Sequence, residues 1–500
     1  MDAFERELLR RSPLAACVLE VCDFVFDPTF LTSVWDVHRG RCYQDVLKFE
    51  DFLRLTRDAL VRHGGSAHAR FLELERRDAE PVDESNYYRK LARTPVGVSR
   101  ALLREGSRRL TELLPEESDF GQLGRAAPPY AYALPACVEG FEVIVGDGKK
   151  ASGTGDRPRA IKDAAKRLKP TRGFSGKLIG AKALVAMDAR TGMAVAMSDS
   201  LDGLANDVPL VPSLMEQLRE TIARPVLSVW DRQFDDVRTL GHLSSRAGDA
   251  FVVRVKQKNH TFAVESAVET SDSQGRTVRD EVGLLGRGKN ATRVRRVTLE
   301  RGGKREAEGR RKDKGKGEVE VDEEDVVLLT NLLDRAAFPA VDLLALYRRR
   351  WGIEQVFQQV TETFALDHLI GSAPQAVLLQ FAYCLLLYNL VQLVKAYVAA
   401  DGRVLASVVS TYYLFADIRK ELVAWAYHGG DEAAWPRVAR DAGQMRERLG
   451  ELLHDSWDPI AYTKASDKKP RPQRAPPKRL HGGHSSVQRV LEGRAKVIAE

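Results

Sequence analysis

The residues of this chain that could do chemistry are acidic and widely spaced. Asp147 and Asp231 each follow a short apolar run typical of a β-strand, Phe141–Val145 and Pro225–Trp230. Carboxylates at the ends of neighbouring strands can meet at one edge of a sheet and bind hard cations through oxygen. Two such cations about 3.5–4 Å apart suit phosphoryl transfer. Two simpler interpretations stay open, an Asp-Gly turn for Asp147 and a helix N-cap for Asp231.

A third acidic residue, Glu354, lies in a stretch, residues 339–364, whose periodicity predicts one long amphipathic helix. Tyr347, Arg350, Glu354 and Thr361 are separated by three, four and seven residues, so a continuous helix would place them on one face. A neighbouring apolar arc would pack that helix on a sheet. Arg350 and Glu354 could equally form an ordinary surface ion pair, because residues four apart often do so.

The elements that must position these residues predict a mixed α/β fold. Residues 1–135 have helical periodicity, and the chain then alternates between apolar β-type runs and helices. This order is compatible with an RNase H-like mixed sheet with flanking helices. The predicted elements are the strand 141–145, the hairpin strands 177–187 and 192–197, the helix 209–222, the strand 225–230, a helix through 240–245, and the strands 250–255, 292–299 and 326–330.

Composition shifts predict six segments along the chain. A strand-rich insertion, basic in its second half, interrupts the α/β core, and a basic tail follows the last helices. The segments are a helical N-terminal region (1–135), the first part of the core (136–257), the insertion (258–325), the second part of the core (326–400), a helical C-terminal region (401–463) and the tail (464–500).

Positive charge is concentrated in two places. Residues 287–316 hold thirteen Lys and Arg against four acidic residues, a net charge of +9, and residues 464–480 have a net charge of +6. Because the whole chain carries +7, the rest of it is acidic. Such segregation favours a polyanionic partner, most simply nucleic acid, although each run could also be a solvated loop or tail.

Cysteine usage and apolar stretches narrow the class of protein further. The five cysteines include no Cys-x-x-Cys pair, which argues against a disulfide framework or a structural zinc site and fits a reducing cytoplasm. The start of the chain lacks an export pattern. The apolar stretch 376–400 is long enough for a membrane helix, but four polar residues interrupt it, so we expect a buried core helix and no membrane partner.

The segment Leu346–Phe357, with Tyr347, Arg350 and Glu354 in fixed spacing, resembles the signature of the DDE transposases of the insertion-sequence family numbered four. That signature reads Tyr, two residues, Arg, three residues, Glu, six residues, Lys. The Asp-Arg-Gln-Phe sequence at Asp231, the strand 251–256 after it and the long insertion before Glu354 also resemble that family. The similarity spans roughly residues 140–395.

The resemblance implies a role for each matching residue. Asp147, Asp231 and Glu354 would be the catalytic triad and hold two Mg²⁺ ions, for which Mn²⁺ can substitute. Tyr347 and Arg350 would grip phosphates of the DNA end. Trp351 would stack near the cleaved end and Arg254 would lie near the DNA, although a core-edge aromatic and an ordinary strand charge are simpler uses of these two. The N-terminal helical region would bind the DNA end. One position departs from the signature: where the signature has a lysine, this chain has Thr361, which has no charge.

The resemblance also implies an activity, cut-and-paste transposition of an insertion sequence. The enzyme would nick double-stranded DNA at its own terminal inverted repeats, form and reopen a hairpin, and join the end to target DNA. We expect a homodimer in the DNA complex, in the bacterial cytoplasm and at the nucleoid when bound. Two alternatives stay open: a decayed or repurposed transposase that only binds DNA, which Thr361 favours, and a structure-selective nuclease on the same fold.

Overall fold

The structure is a computed structural model, and it divides into two compact units. The first comprises Met1–Ala133, Gly148–Leu210 and Glu354–Glu500, and the second Leu134–Asp147 and Val211–Ile353. The residues described are 12–42, 46–76, 83–115, 133–152, 178–255, 261–288, 291–300, 325–364, 370–371, 373–400, 408–427, 439–454 and 485–486. The predicted division into six segments stays a prediction.

Helices and strands alternate as a mixed α/β fold requires, and the predicted fold class is confirmed. The helices are α1 (Pro13–Val25), α2 (Pro28–His38), α3 (Phe49–Val61), α4 (Ala67–Arg76), α5 (Glu84–Arg93), α6 (Val96–Thr111), α7 (Val211–Thr221), α8 (Val237–Leu243), α9 (Ala340–Arg348), α10 (Trp351–Phe364), α11 (Pro374–Ala400), α12 (Thr411–Tyr427) and α13 (Ala442–His454). The strands are β1 (Glu142–Ser152), β2 (Leu178–Asp188), β3 (Ala194–Ser200), β4 (Val226–Trp230), β5 (Ala250–Val255), β6 (Phe262–Ser271), β7 (Thr277–Leu285), β8 (Thr292–Leu299), β9 (Val326–Thr330) and β10 (Ser485–Ser486).

The first unit is built around helix α11, which is long and apolar enough to cross a membrane but has its apolar window 100% buried inside the protein. Two of its buried polar side chains bond to backbone carbonyls. Asn389 donates to the carbonyl of Ala194 at 2.7 Å, and the Gln380 amide donates to the carbonyl of Ile370 at 2.6 Å. Because a buried polar group needs such partners, these bonds fit a core helix of a folded protein. The prediction of a buried core helix is confirmed.

The hairpin of the first unit also follows its prediction. β2 and β3 pair antiparallel, with Val185 opposite Met197. Asp188 shapes the turn by accepting a hydrogen bond from the backbone N–H of Arg190 at 2.9 Å, and Gly192 closes it with a φ of 72°, which favours glycine.

The second unit is a mixed sheet in which three strands run parallel. β1 pairs in parallel with β4, and β4 pairs in parallel with β5. From β5 the order continues through β9, β8 and β7 to β6, each pair antiparallel. Strands β4 and β9 are buried along their whole length, as their apolar runs predict. The register of β1 with β4, in which Val145 is opposite Val229, brings Asp147 and Asp231 to the same level of the sheet.

The insertion contributes strands to this same sheet. β8 pairs with β9, so β6, β7 and β8 extend the core sheet of the second unit. Arginines that we expected to grip DNA are used inside it. Arg295 is completely buried and pairs with Asp280. Arg296 pairs with Glu281 of β7, and Arg293, which is 59% exposed, pairs with Glu265 of β6. The hypothesis of an electrostatic grip is therefore wrong for Arg295, and for Arg293 and Arg296 it stays a prediction. The basic residues from 301 to 316 and those of the tail lie outside the described residues.

Two predicted boundaries near the acidic residues are wrong. Asp147 does not end its strand, because β1 continues to Ser152. The predicted helix over 339–364 is two helices, α9 and α10, interrupted at Arg349 and Arg350. At the interruption the N–H groups of Arg349, Arg350 and Gly352 bond to carbonyls three residues earlier, the tighter pattern of a turn.

Candidate active site

Three charged residues lie at one level of the parallel strands β1, β4 and β5, at the carboxyl ends of β4 and β5. In β1 and β4, Val145 is opposite Val229, so continuing that register by two residues places Asp147 beside Asp231. The register of β4 with β5 places Arg254 beside Asp231 on the other side. Residues at one level of parallel strands point to the same face. We call Asp147, Asp231 and Arg254 the catalytic row, after the catalytic role predicted for its two aspartates.

A glycine and a tryptophan fix the spacing of the row. Gly146 directly precedes Asp147, and a Cβ atom added there would lie 2.1 Å from the Trp230 ring. Trp230 directly precedes Asp231, is fully buried, and packs on Phe234 with ring centroids 4.7 Å apart. Only glycine leaves room for this ring, so Gly-Asp in β1 and Trp-Asp in β4 form matched pairs. This role is not predicted from the sequence; the position of both residues directly before an aspartate is the signal that could have indicated it.

Asp231 has the second role that its sequence allowed. Its carboxylate accepts a hydrogen bond from the backbone N–H of Gln233 at 2.9 Å and caps a short 3-10 turn, Arg232–Phe234. The bond goes to one carboxylate oxygen, Oδ1. The cap holds the side chain in one orientation at the strand end.

Arg350 lies against Asp147. Its Nη1 is 3.5 Å from Oδ2 of Asp147, and the two side chains are 8% and 14% exposed. The guanidinium also lies 5.9 Å from the centre of the Tyr347 ring. Burial raises the pKa of the Tyr347 phenol, while the positive charges of Arg350 and Arg254 oppose that rise. Tyr347 and Arg350 are thus brought together with the catalytic row.

This arrangement pairs two carboxylates with two guanidinium groups. Carboxylate oxygens are the ligands that Mg²⁺ and Mn²⁺ prefer, so Asp147 and Asp231 fit a hard cation. Guanidinium groups and a buried phenol suit phosphate oxygens. The nitrogen–oxygen distance of 3.5 Å between Arg350 and Asp147 is long for a hydrogen bond. The residues present therefore fit both a metal and a phosphodiester.

The remaining predicted residues are Glu354 and Trp351. Glu354 lies half-buried in the first turn of α10 and belongs to the first unit. Among the residues that the structure describes, no three His, Cys, Asp or Glu side chains are grouped to hold a metal ion. Asp147 and Asp231 are brought together, and the triad with Glu354 stays a prediction. The side chain of Trp351 lies outside the described residues.

The comparison with known families decides the class of protein. A family model described as "Transposase DDE domain" matches residues 140–390. The match contains the catalytic row, Glu354 and the strands of the insertion. The chain belongs to the DDE transposase family. The expected resemblance to DDE transposases is confirmed at this level, and the finer assignment to the insertion-sequence family numbered four stays a prediction.

Solved structures include one similar to this DDE transposase along most of its length. It is the piggyBac transposase synaptic complex with hairpin DNA, with 12% sequence identity over 89% of this chain and 85% of that chain and a TM-score of 0.35. At this TM-score the likeness carries no argument about the present chain. No match was found among curated proteins.

Proposed function

We propose that this DDE transposase carries out cut-and-paste transposition of an insertion sequence. It would nick the ends of its DNA element, form and reopen a hairpin there, and join the ends to target DNA. The observation that carries the proposal is the position of Asp147 and Asp231 side by side on parallel strands, with arginines on both flanks. Paired carboxylates beside phosphate-binding cations are what metal-assisted phosphoryl transfer needs.

Metal ions belong to this proposal. Asp147, Asp231 and Glu354 would hold two Mg²⁺ ions, for which Mn²⁺ would substitute. Such ions supply stabilisation of negative charge on the phosphoryl group and its attacking and leaving oxygens.

The chain's own residues would bind and orient the DNA. Arg350 and Tyr347 would hold a phosphate of the transposon end, and Arg350 could turn to it from Asp147 because their contact is long. Arg254 would hold a second phosphate from its position beside Asp231, and Trp351 would stack on the cleaved end. A guanidinium holds a phosphate with paired hydrogen bonds, which fixes the direction of attack.

The partners follow from the same chemistry. The substrate would be double-stranded DNA carrying the element's terminal inverted repeats, with target DNA as the second substrate. Two ends must be joined, so we propose a homodimer in the DNA complex. The place of action would be the bacterial cytoplasm and its nucleoid.

The test compares two capping aspartates. Asp231→Asn keeps an oxygen to accept the Gln233 N–H bond but loses its charge, and Asp236→Asn does the same for the N-cap of α8. Both variants should fold. With DNA carrying the inverted repeats that flank the gene, we expect Mg²⁺-dependent cleavage by the wild type and by Asp236→Asn, and none by Asp231→Asn. Persisting cleavage by Asp231→Asn would refute the assignment.

A second candidate function is DNA binding without cleavage, by a decayed or repurposed transposase. Thr361 favours it, because the residue in place of the signature's lysine is uncharged and its hydroxyl donates to the carbonyl of Phe357 at 2.6 Å. This candidate predicts specific binding of the terminal repeats and no cleavage by the wild type in Mg²⁺ or Mn²⁺.

A further inference from the structure

Helix α10 lacks a charged donor where the transposase signature has one. The Thr361 hydroxyl has a single proton, which it gives to the carbonyl of Phe357 one turn earlier, at 2.6 Å. It therefore has no proton left for a phosphate oxygen. If this face of α10 contacts DNA, the cation must come from another part of the chain.

Lys149 supplies an ammonium group at that turn of the helix. Its Nζ lies 5.8 Å from the centre of the Phe357 ring, and Phe357 is the residue whose carbonyl receives the Thr361 proton. Lys149 is half-buried in β1, two residues beyond Asp147, and therefore on the same side of that strand. A strand residue thus brings positive charge to α10 at Phe357, one turn before Thr361.

The ring contact suits a lysine that binds an anion. An aromatic face attracts an ammonium group and keeps it charged. The strand anchors the backbone of Lys149, so part of the ordering cost of the side chain is met before DNA binds. We propose that Lys149 binds a phosphate of the DNA end and does the work for which Thr361 lacks the charge. This inference rests on the proposed function.

The next residue provides a matched control. Lys150 has the same charge, is exposed, and points to the other side of β1. Replacing either lysine by methionine removes one positive charge and keeps an unbranched side chain of similar length. A general effect of net charge would appear in both variants, and a specific phosphate contact only in Lys149→Met.

The experiment measures binding of labelled DNA with the flanking inverted repeats, by fluorescence anisotropy, between 50 and 200 mM salt in Ca²⁺ so that binding is followed without cleavage. We expect Lys149→Met to bind about tenfold or more weakly, because a hydrogen bond to a charged group is lost. The slope of log affinity against log salt should fall by about 1. Lys150→Met and Lys149→Arg should match the wild type.

Rescue separates binding from folding. Adding Thr361→Lys to Lys149→Met should restore both the affinity and the salt slope. If Lys149→Met weakened binding by disturbing packing, a lysine at position 361 would not restore either. Equal behaviour of Lys149→Met and Lys150→Met, or no rescue by Thr361→Lys, would overturn the inference and leave the proposed function standing. A wild type with no preference for the terminal repeats would instead overturn the proposed function, and this inference with it.

Discussion

Two arginine–aspartate pairs in the second unit differ in how fully their charges are used. Arg295 meets both oxygens of Asp280 at 2.8 and 2.7 Å, and the side chains are 0% and 6% exposed. Arg295 also donates to the carbonyl of Phe338 at 2.7 Å. Arg350 approaches one oxygen of Asp147 at 3.5 Å, with 8% and 14% exposure.

The difference identifies Arg295 and Asp280 as a structural pair. Each holds the other with two short bonds in a buried place, so Arg295 is not available to a DNA phosphate. The contact of Arg350 with Asp147 is longer and more exposed. Charge alone would assign both arginines to DNA binding, whereas burial and bond geometry exclude Arg295.

Breaking the structural pair should have the largest effect on stability. Asp280→Ala leaves the Arg295 guanidinium buried without a counter-charge, so we expect the free energy of unfolding to fall by about 3–5 kcal/mol. Glu269→Ala is the control, because Glu269 and Arg279 are 61% and 44% exposed, and such pairs contribute about 1 kcal/mol or less. Urea unfolding measures both. Equal losses of unfolding free energy in the two variants would show that the buried pair of Arg295 and Asp280 stabilises the fold no more than an exposed pair does.

Crowding the catalytic row should have an intermediate effect. In Gly146→Ala the new methyl group would lie 2.1 Å from the Trp230 ring, so ring or strand must shift. We expect a loss of about 1–3 kcal/mol in the free energy of unfolding, with weaker DNA cleavage as the row is displaced. Gly140→Ala, where nothing lies within 4 Å of the added Cβ, should change neither. A fully stable and active Gly146→Ala would contradict the packing described here.

Glu421 in the first unit is a buried carboxylate that, unlike Asp280 and Asp147, has no arginine as ion-pair partner among the described residues. Glu421 accepts the backbone N–H of Ala15 at 2.8 Å, and burial raises its pKa to about 7. No Lys or Arg among the described residues forms a salt bridge with it. Because the folded state binds this proton more tightly than the unfolded state, Glu421 makes stability fall as pH rises from about 4.5 to 7.

The measurement is urea unfolding at several pH values in that range. Glu421→Gln should remove this contribution and give a flatter profile than the wild type. Asp417→Asn, which removes the smallest of the causes that shift the Glu421 pKa, should keep most of the wild-type slope. A Glu421→Gln profile as steep as the wild type would show that another group causes the pH dependence.

Local patterns in the sequence predicted the strands well, because a buried strand needs a run of apolar residues and such a run is visible in the sequence. The runs 250–255, 292–299 and 326–330 coincide with β5, β8 and β9. The predictions that fail concern positions whose conformation depends on contacts with residues far away in the sequence. Gly146 resembles a turn residue until Trp230 packs on it, and three consecutive arginines favour helix although the chain turns at Arg350 and meets Asp147. The contact of Gly146 with Trp230 and that of Arg350 with Asp147 each join two distant segments, so neither can be predicted from the pattern of one segment.

Metal binding to the catalytic row tests the central claim most directly. Isothermal titration calorimetry with Mn²⁺ would compare the wild type with Asp147→Asn, Asp231→Asn and the capping control Asp236→Asn. We expect the wild type and Asp236→Asn to bind the ion, and both variants of the row to lose it while remaining folded. Undiminished Mn²⁺ binding by Asp147→Asn or Asp231→Asn would contradict the role given to these two carboxylates.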